Sequence, residues 1–261
     1  MLLTLNLMRC AERSIEREGL ATMDVNRLIS GVMGQVGGVA NQATTAVKQG
    51  GMPTGLVGGA AAGGLVALLM SNKKARKMGG KALTYGGLAA VGGLAYKAWS
   101  DHKSAQQGST VAPGPVNSST QMAPPPAGSG FDVSSQRDRE GSDLRLTLVR
   151  AMISSAKSDG HIDADEHTRI QAHIQSLDLS GDEKAFLFDQ LAASSDPIAI
   201  ARLANDDVQA AEIYVASALA VDADTPEEKR YLDRLSDALR LPDGLRAQLD
   251  AQATGLVNIA A

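Results

Sequence analysis

Two short acidic segments in the C-terminal half of the chain carry the side chains best suited to chemistry. Each segment places three carboxylates around a predicted turn between two helices. The six residues are Asp159, Asp163, Glu166, Asp222, Asp224 and Glu228. Carboxylate oxygens are the ligands that calcium takes in proteins. The two segments therefore form a candidate site for a divalent cation such as calcium, provided that the fold brings them together.

Helix capping is a second interpretation of the same spacing. Residues 163–166 read Asp-x-x-Glu and residues 225–228 read Thr-x-x-Glu, and both fit a capping box at a helix N-terminus. Acidic residues there also interact favourably with the helix dipole. Capping does not account for Asp159 or Asp222, which follow predicted helices at ends where a negative charge is unfavourable. Both interpretations therefore stay open.

Other catalytic and metal-binding patterns in the sequence are weak. The block around Asp159 resembles half of an EF-hand loop, but Lys157 stands where that loop needs an oxygen ligand. His161, His167 and His173 are spaced so that they do not share one helix face. The sequence holds no convincing nucleophile–base grouping and no phosphate-binding loop. It therefore predicts a protein that is not an enzyme and that has no certain cofactor.

The elements that must position these carboxylates are predicted to be helices. From Ser142 onward the apolar residues recur at helical spacing, and β-rich runs are absent. Three helix starts carry clear capping signals, at Ser180-x-x-Glu183, Asp196-Pro197 and Thr225-Pro226. The seven expected helices cover about 142–158, 163–177 and 206–221 and begin near residues 180, 197, 226 and 242. The predicted fold class is all-α, with a seven-helix bundle at residues 142–261.

A row of glycines marks the longest apolar segment, residues 49–72. The segment is uncharged between Lys48 and Lys73. As a helix it would span roughly 36 Å at about 1.5 Å per residue, enough for a bilayer core of about 30 Å. Its glycines recur every four residues, at Gly51, Gly55, Gly59 and Gly63. Because such a row lies on one helix face and lets another helix approach closely, the segment is predicted to be a glycine-zipper membrane helix that favours homo-oligomers.

A second uncharged segment, residues 82–96, follows a basic loop. The loop contains Lys73, Lys74, Arg76, Lys77 and Lys81. The positive-inside rule places such a loop on the cytoplasmic side of the membrane. Segment 82–96 is short for a full span, so it is interpreted either as the second leg of a membrane hairpin or as an interfacial helix. The interfacial alternative leaves the C-terminal domain in the cytoplasm.

Charge is divided unevenly along the chain. Residues 1–100 carry 11 Lys and Arg against 4 Asp and Glu, whereas residues 142–261 carry 11 against 21. The basic part suits an anionic bilayer surface, and the acidic part argues against nucleic-acid binding. Cys10 is the only cysteine, so an internal disulfide is excluded.

Composition divides the chain into four parts. An N-terminal segment (1–48) precedes the glycine-rich membrane region (49–99), and a disordered linker rich in Ser, Gln, Gly and Pro (100–141) leads to the helical domain (142–261). Met23 is a second plausible start, so residues 1–22 are interpreted as an extension of the start site.

Three blocks of sequence together resemble a known bacterial family. Residues 23–28 read MDVNRL, residues 72–77 read NKKARK, and residues 156–163 read AKSDGHID. The chain resembles the YebE family of bacterial inner-membrane proteins of unknown function, and its C-terminal domain is similar to the tellurite-resistance protein TerB. The resemblance implies a seven-helix TerB-like bundle and membership of membrane-linked stress complexes. It also implies an acidic metal-binding surface, whose candidate residues are Asp159, Asp163, Glu166, Asp222 and Glu228.

The expected function is that of a membrane-anchored, non-enzymatic module in envelope or metal stress. It would bind a protein partner, with a divalent cation as the candidate ligand of its acidic turns. The alternative is structural: the glycine zipper drives self-association and the bundle is a passive cap. The expected location is the bacterial inner membrane, with the helical domain in the cytoplasm. The lipid bilayer, a second copy and a protein are the expected partners, and nucleic acid is not expected.

Overall fold

The computed structural model describes residues 23–33, 88–106, 125–126, 128–160, 164–221, 223 and 225–259. These ranges hold nine helices and no strand, with one isolated β-bridge between Arg137 and Asp143. The predicted all-α class is therefore confirmed for the described part of the chain.

The described helices run from 5 to 19 residues, and from the third onward only a few residues separate one from the next. In chain order they are α1 (Val25–Met33), α2 (Leu88–Gln106), α3 (Leu144–Ala156), α4 (Ala164–Ser176), α5 (Gly181–Ala192), α6 (Pro197–Ala201), α7 (Asp207–Leu219), α8 (Pro226–Leu239) and α9 (Asp243–Ile259). Helices α3 to α9 are the seven that the sequence predicts for residues 142–261, and their starts agree with the capping signals.

Capping chemistry explains where three of these helices begin. Ser180 and Glu183 form a complete capping box at α5, and Thr225 and Glu228 form another at α8. Asp196 caps α6 ahead of a proline at its first position. These local signals are readable in the sequence because each needs only residues that are close together along the chain.

Helix α7 is the centre of the core. Its residues 209–217 are buried on every side, Glu212 and Tyr214 included. Helices α2, α3, α8 and α9 all pack against it. A helix that is apolar almost all round must be enclosed by its neighbours, and the alanine-rich sequence of α7 lets those neighbours approach closely.

Two helices from the N-terminal half belong to the same core. Leu28 and Val32 of α1 are fully buried, and α1 packs against α3. The Arg145 guanidinium of α3 donates to Asn26 Oδ1 at 2.5 Å. Helix α2 packs along α7 and α9, with Leu88, Val91, Leu94, Ala95 and Ala98 buried. The bundle therefore contains more of the chain than residues 142–261.

This packing corrects the prediction for segment 82–96. Its described part, residues 88–96, lies in helix α2 with its apolar side chains against protein, so it is not the second leg of a membrane hairpin. Sequence periodicity alone cannot distinguish an apolar helix that faces lipid from one that faces a protein core. Helix α2 also continues past the predicted boundary at residue 99, to Gln106.

A structured turn segment, residues 128–143, covers the last part of the predicted linker 100–141 and the two residues that follow it. Asp138 is buried there and its carboxylate accepts hydrogen bonds from the Glu140 and Ser142 amides and from the Thr147 hydroxyl, at 2.7 to 2.9 Å. The Arg139 amide donates to the Leu203 carbonyl at 2.9 Å. The turn segment is thus attached to the bundle, which polar composition did not indicate.

The glycine row Gly51, Gly55, Gly59 and Gly63 and the basic loop of Lys73, Lys74, Arg76, Lys77 and Lys81 lie outside the described residues. Among the helices that the structure describes, none is long and apolar enough to cross a membrane.

Candidate functional site

The two acidic turns emerge at the same end of the bundle. Near their N-termini, α3 and α7 both contact the turn segment: the Leu144 amide donates to the Gln136 carbonyl at 3.1 Å, and the Gln209 side chain donates to the Arg137 carbonyl at 2.8 Å. At the other end, Ser155 Oγ donates to the Ser217 carbonyl at 2.9 Å. The helices are therefore parallel, and the turns that follow them are neighbours.

Among the described residues of each turn, one has a left-handed backbone. Gly160 has a φ of 72° in the first turn, and Ala223 has a φ of 50° in the second. Glycine adopts this conformation at no steric cost, whereas alanine does so at a cost of about 1 kcal/mol. This shared geometry supports the relation between the turns that the sequence suggests.

The structure gives only part of the predicted carboxylate set. Asp159 is half-buried just after α3. Glu228 is half-buried and its carboxylate accepts from the Thr225 amide at 3.1 Å, as a helix cap. Asp163, Asp222, Asp224 and the side chain of Glu166 lie outside the described residues. Within the described part, no three His, Cys, Asp or Glu side chains are placed to hold a metal ion, and the metal site stays a prediction.

Lys157 has a structural role beside the first turn. Its Nζ donates to the carbonyl of Gln190 at 3.2 Å and also to those of Leu191 and Ala193. These are carbonyls at the C-terminal end of α5, which lack partners within the helix and carry its negative dipole end. Burial lowers the pKa of Lys157. The lysine that excludes an EF-hand ligand position is thus a helix cap.

The most unusual buried group is Glu212, in the middle of α7. Its side chain is 0% exposed, and neither carboxyl oxygen has a hydrogen-bond partner among the described residues. It lies where α2 and the turn segment meet α7. A methyl group added at Gly92 of α2 would lie 3.6 Å from Glu212 Oε1 and 2.4 Å from the Phe131 carbonyl oxygen.

The surroundings of Glu212 oppose its ionisation. Burial raises the pKa of Glu212 to about 8, and the negative charges of Asp206 and Asp132 act in the same direction. The amide of Gln136 acts in the opposite direction and lowers the pKa of Glu212 by more than Asp132 raises it, without a hydrogen bond of good geometry. Glu212 is therefore largely neutral at pH 7. Sequence reasoning missed this residue, although one acidic residue in the alanine-rich run AAEIYVASALA is a visible signal.

A second polar group near the core is fully paired. Tyr214 OH donates to Asp250 Oδ1 at 2.8 Å and accepts from Arg246 Nε at 3.2 Å. Arg246 also pairs with Asp233. Burial raises the pKa of Tyr214. Because each member has a partner, this network joins α7, α8 and α9 and is structural.

The described histidines form no site. His161 and the side chain of His167 lie outside the described residues. His173 of α4 is half-buried, its Nε2 has no hydrogen-bond partner, and burial lowers its pKa.

Comparison with known proteins gives a family without an assigned function. The family described as "Protein of unknown function (DUF533)" matches residues 55–253. A protein of Yersinia enterocolitica, described as an uncharacterized protein in the ampR 5' region, is 30% identical over 99 residues, which cover 38% of this chain and 71% of the relative. No solved structure matches the chain.

Proposed function

The chain belongs to the DUF533 family of proteins of unknown function, and from that premise we propose a non-enzymatic, membrane-attached binding module of the bacterial inner membrane. Its helical bundle is TerB-like and faces the cytoplasm. The glycine-rich segment 49–72 holds the protein to the bilayer. The neighbouring acidic turns bind a protein partner, with a divalent cation such as calcium as their ligand.

One observation carries the membrane part of this proposal. The helices on either side of residues 34–87 are both built into the bundle, since Leu28 of α1 is 0% exposed and Leu88 of α2 is 4% exposed. Residues 34–87 are therefore joined at both ends to helices of the bundle. The family match begins within the glycine row and ends in α9. It supports treating the glycine-rich segment and the bundle as one unit.

The start of α2 supports a cytoplasmic bundle. Only residues 82–87 separate Lys81 of the basic loop from Leu88, which packs in the bundle core. Even fully extended, this stretch reaches at most about 25 Å, less than a bilayer core of about 30 Å. The bundle therefore lies on the same side as the basic loop, and the positive-inside rule assigns that side to the cytoplasm.

The parallel arrangement of α3 and α7 supports the binding part of the proposal. It brings Asp159 and the start of the second turn to one end of an acidic bundle. The shared left-handed turn geometry and the resemblance to TerB favour a paired acidic surface there.

Replacing residues 49–72 with a Gly/Ser sequence of equal length tests the membrane attachment. The replacement preserves the length of chain between α1 and α2 and removes the apolar side chains of residues 49–72. We expect the unmodified chain in the membrane fraction after a high-salt wash and the variant in the soluble fraction with an unchanged thermal unfolding midpoint. A matched control replaces residues 107–122 in the same way and stays with the membrane. A Gly/Ser variant that remains membrane-bound would contradict the proposal.

A further inference from the structure

Glu212 lies at the junction that holds α2 in the bundle. The turn segment fastens α2 from outside, because the Phe131 ring packs edge-on against Tyr96 and Trp99, with centroids 5.5 and 6.3 Å apart. Beneath it, the backbone of Phe131 closes on Gly92, and Glu212 Oε1 faces the same point from α7. Ionisation of Glu212 would therefore act directly on the contact between α2 and α7.

The groups around the junction leave a negative charge there uncompensated. Asp206 caps the start of α7, and Asp132 stands on the turn segment; both disfavour a second negative charge. The cations named next, on helices that pack against α7, have partners of their own.

Those cation contacts are specific and local. Lys97 of α2 pairs with Asp101 at 2.7 Å, and Arg145 of α3 pairs with Asp143 at 2.8 Å. Arg246 of α9 contacts Tyr214, Asp233 and Asp250, and Arg150 of α3 lies over the Phe186 ring. None of these cations contributes to the pKa of Glu212.

The helix that Glu212 contacts has the composition of a membrane-surface helix. Residues 88–99 of α2 are mostly apolar and carry one charge, Lys97, with Tyr96 and Trp99 beside it. Aromatic residues and lysine are favoured at the level of the lipid headgroups. In the bundle this apolar face is covered by α7 and α9, so it becomes available to lipid only when α2 leaves the core.

We propose that Glu212 is a charge-operated latch for α2: the neutral carboxyl group allows α2 to pack in the core, and the ionised carboxylate releases α2 onto the bilayer surface. The lipid part of this inference rests on the membrane attachment proposed above. Proton linkage acts between the ordinary pKa of Glu212, 4.5, and its raised pKa of about 8. Over this range the equilibrium constant for packing α2 falls up to tenfold per pH unit, because the packed state requires the neutral carboxyl group.

Hydrogen exchange measured on the full chain in detergent tests the latch. We expect the protection factors of α2 amides, corrected for the intrinsic rate, to fall up to tenfold per unit between pH 6 and 8. Amides of α8 are the internal reference for global unfolding, and α2 amides should stay less protected than α8 amides across this range, because α2 is released without unfolding the rest of the bundle. In Glu212→Gln the pH dependence of α2 protection should disappear.

Two further variants keep the result interpretable. Glu183→Gln removes another fully buried glutamate while a glutamine can still complete the capping box, and it should keep the unmodified pH dependence. Glu212→Met fills the same space with an unchargeable chain and replaces Glu212→Gln if that variant does not fold. A pH-independent α2, or an equal slope in a variant without Glu212 charge, would overturn the latch.

The fluorescence of Trp99 tests whether the released α2 binds lipid, because Trp99 is the only tryptophan in the sequence. With vesicles of phosphatidylethanolamine and phosphatidylglycerol that contain brominated chains, quenching of Trp99 should rise several-fold from pH 6 to 8.5 and stay constant in Glu212→Gln. Release of α2 without quenching would overturn the lipid destination. Failure of the protein to sediment with vesicles at either pH would instead contradict the proposed membrane attachment. The hydrogen-exchange measurement would then still test whether the charge of Glu212 controls the packing of α2.

Discussion

Lys157 shows how one side chain can serve a distant helix end. Its ammonium group reaches carbonyls at the C-terminus of α5, more than thirty residues along the chain. We expect Lys157→Met to lower the free energy of unfolding by about 1–3 kcal/mol, because half-buried carbonyls lose their donor. Urea unfolding measures the change. Lys229→Met, an exposed lysine on α8, is the matched control and should change stability by less than about 0.5 kcal/mol.

Glu212 makes the stability of the whole protein depend on pH. Its pKa in the folded state is about 8 against an ordinary value of 4.5, so the folded state binds more protons between these values. Stability therefore falls as pH rises through this window, by up to about 1.4 kcal/mol per unit, and levels off above about pH 8. Urea midpoints at pH 5.5, 6.5 and 7.5 should converge for the unmodified protein and Glu212→Gln at the lowest pH. Curves that remain parallel would count against a buried ionisable carboxyl group.

Residue-scale reasoning from the sequence succeeded where partners are close along the chain. Ser180 with Glu183, and Thr225 with Glu228, are readable as capping boxes because their spacing alone defines the contact. The roles of Lys157 and Glu212 depend on groups brought together by tertiary packing, so spacing could not predict them.

At the scale of elements, the contact between α2 and the turn segment depends on a glycine. A Cβ at Gly92 would lie 2.4 Å from the backbone oxygen of Phe131, which cannot move aside like a flexible side chain. We expect Gly92→Ala to destabilise the protein by about 1–3 kcal/mol. Gly255→Ala in α9 meets open space and should be neutral or stabilising by up to about 1 kcal/mol. Thermal unfolding compares the two, and equal effects would refute the close approach.

Cation binding by the two acidic turns can be tested by calcium titration. Calcium titrated into the full chain in detergent should release or take up heat, and Asp159→Asn combined with Asp222→Asn should abolish the signal. Asp237→Asn, an exposed carboxylate on α8, is the control and should leave it intact. Isothermal calorimetry measures this. Absence of heat in the unmodified protein would contradict the cation part of the proposal.

The helix count could be predicted from the sequence, but the membership of the bundle could not. The starts of α5, α6 and α8 follow from capping residues, and apolar periodicity gives the others. Helix α2 was assigned to the membrane because its small apolar residues suit either environment. Only its packing against α7 and α9 distinguishes the two.

For the whole molecule, the same packing constrains any membrane topology. Because α1 and α2 both lie on the bundle, residues 34–87 leave it at Met33 and return to it by Leu88. A segment with both ends on one side of a bilayer crosses it an even number of times or enters a single leaflet. Residues 49–72 lie outside the described residues, and their membrane helix stays a prediction.

The side of the membrane on which the bundle lies is the most direct test. In a chain with Cys10→Ser and Ala199→Cys, the new thiol stands on the exposed face of α6. A membrane-impermeant maleimide should leave it unlabelled in intact spheroplasts and label it in inverted inner-membrane vesicles. Labelling in intact spheroplasts, or recovery of the protein in the soluble fraction alone, would contradict a cytoplasmic, membrane-attached bundle.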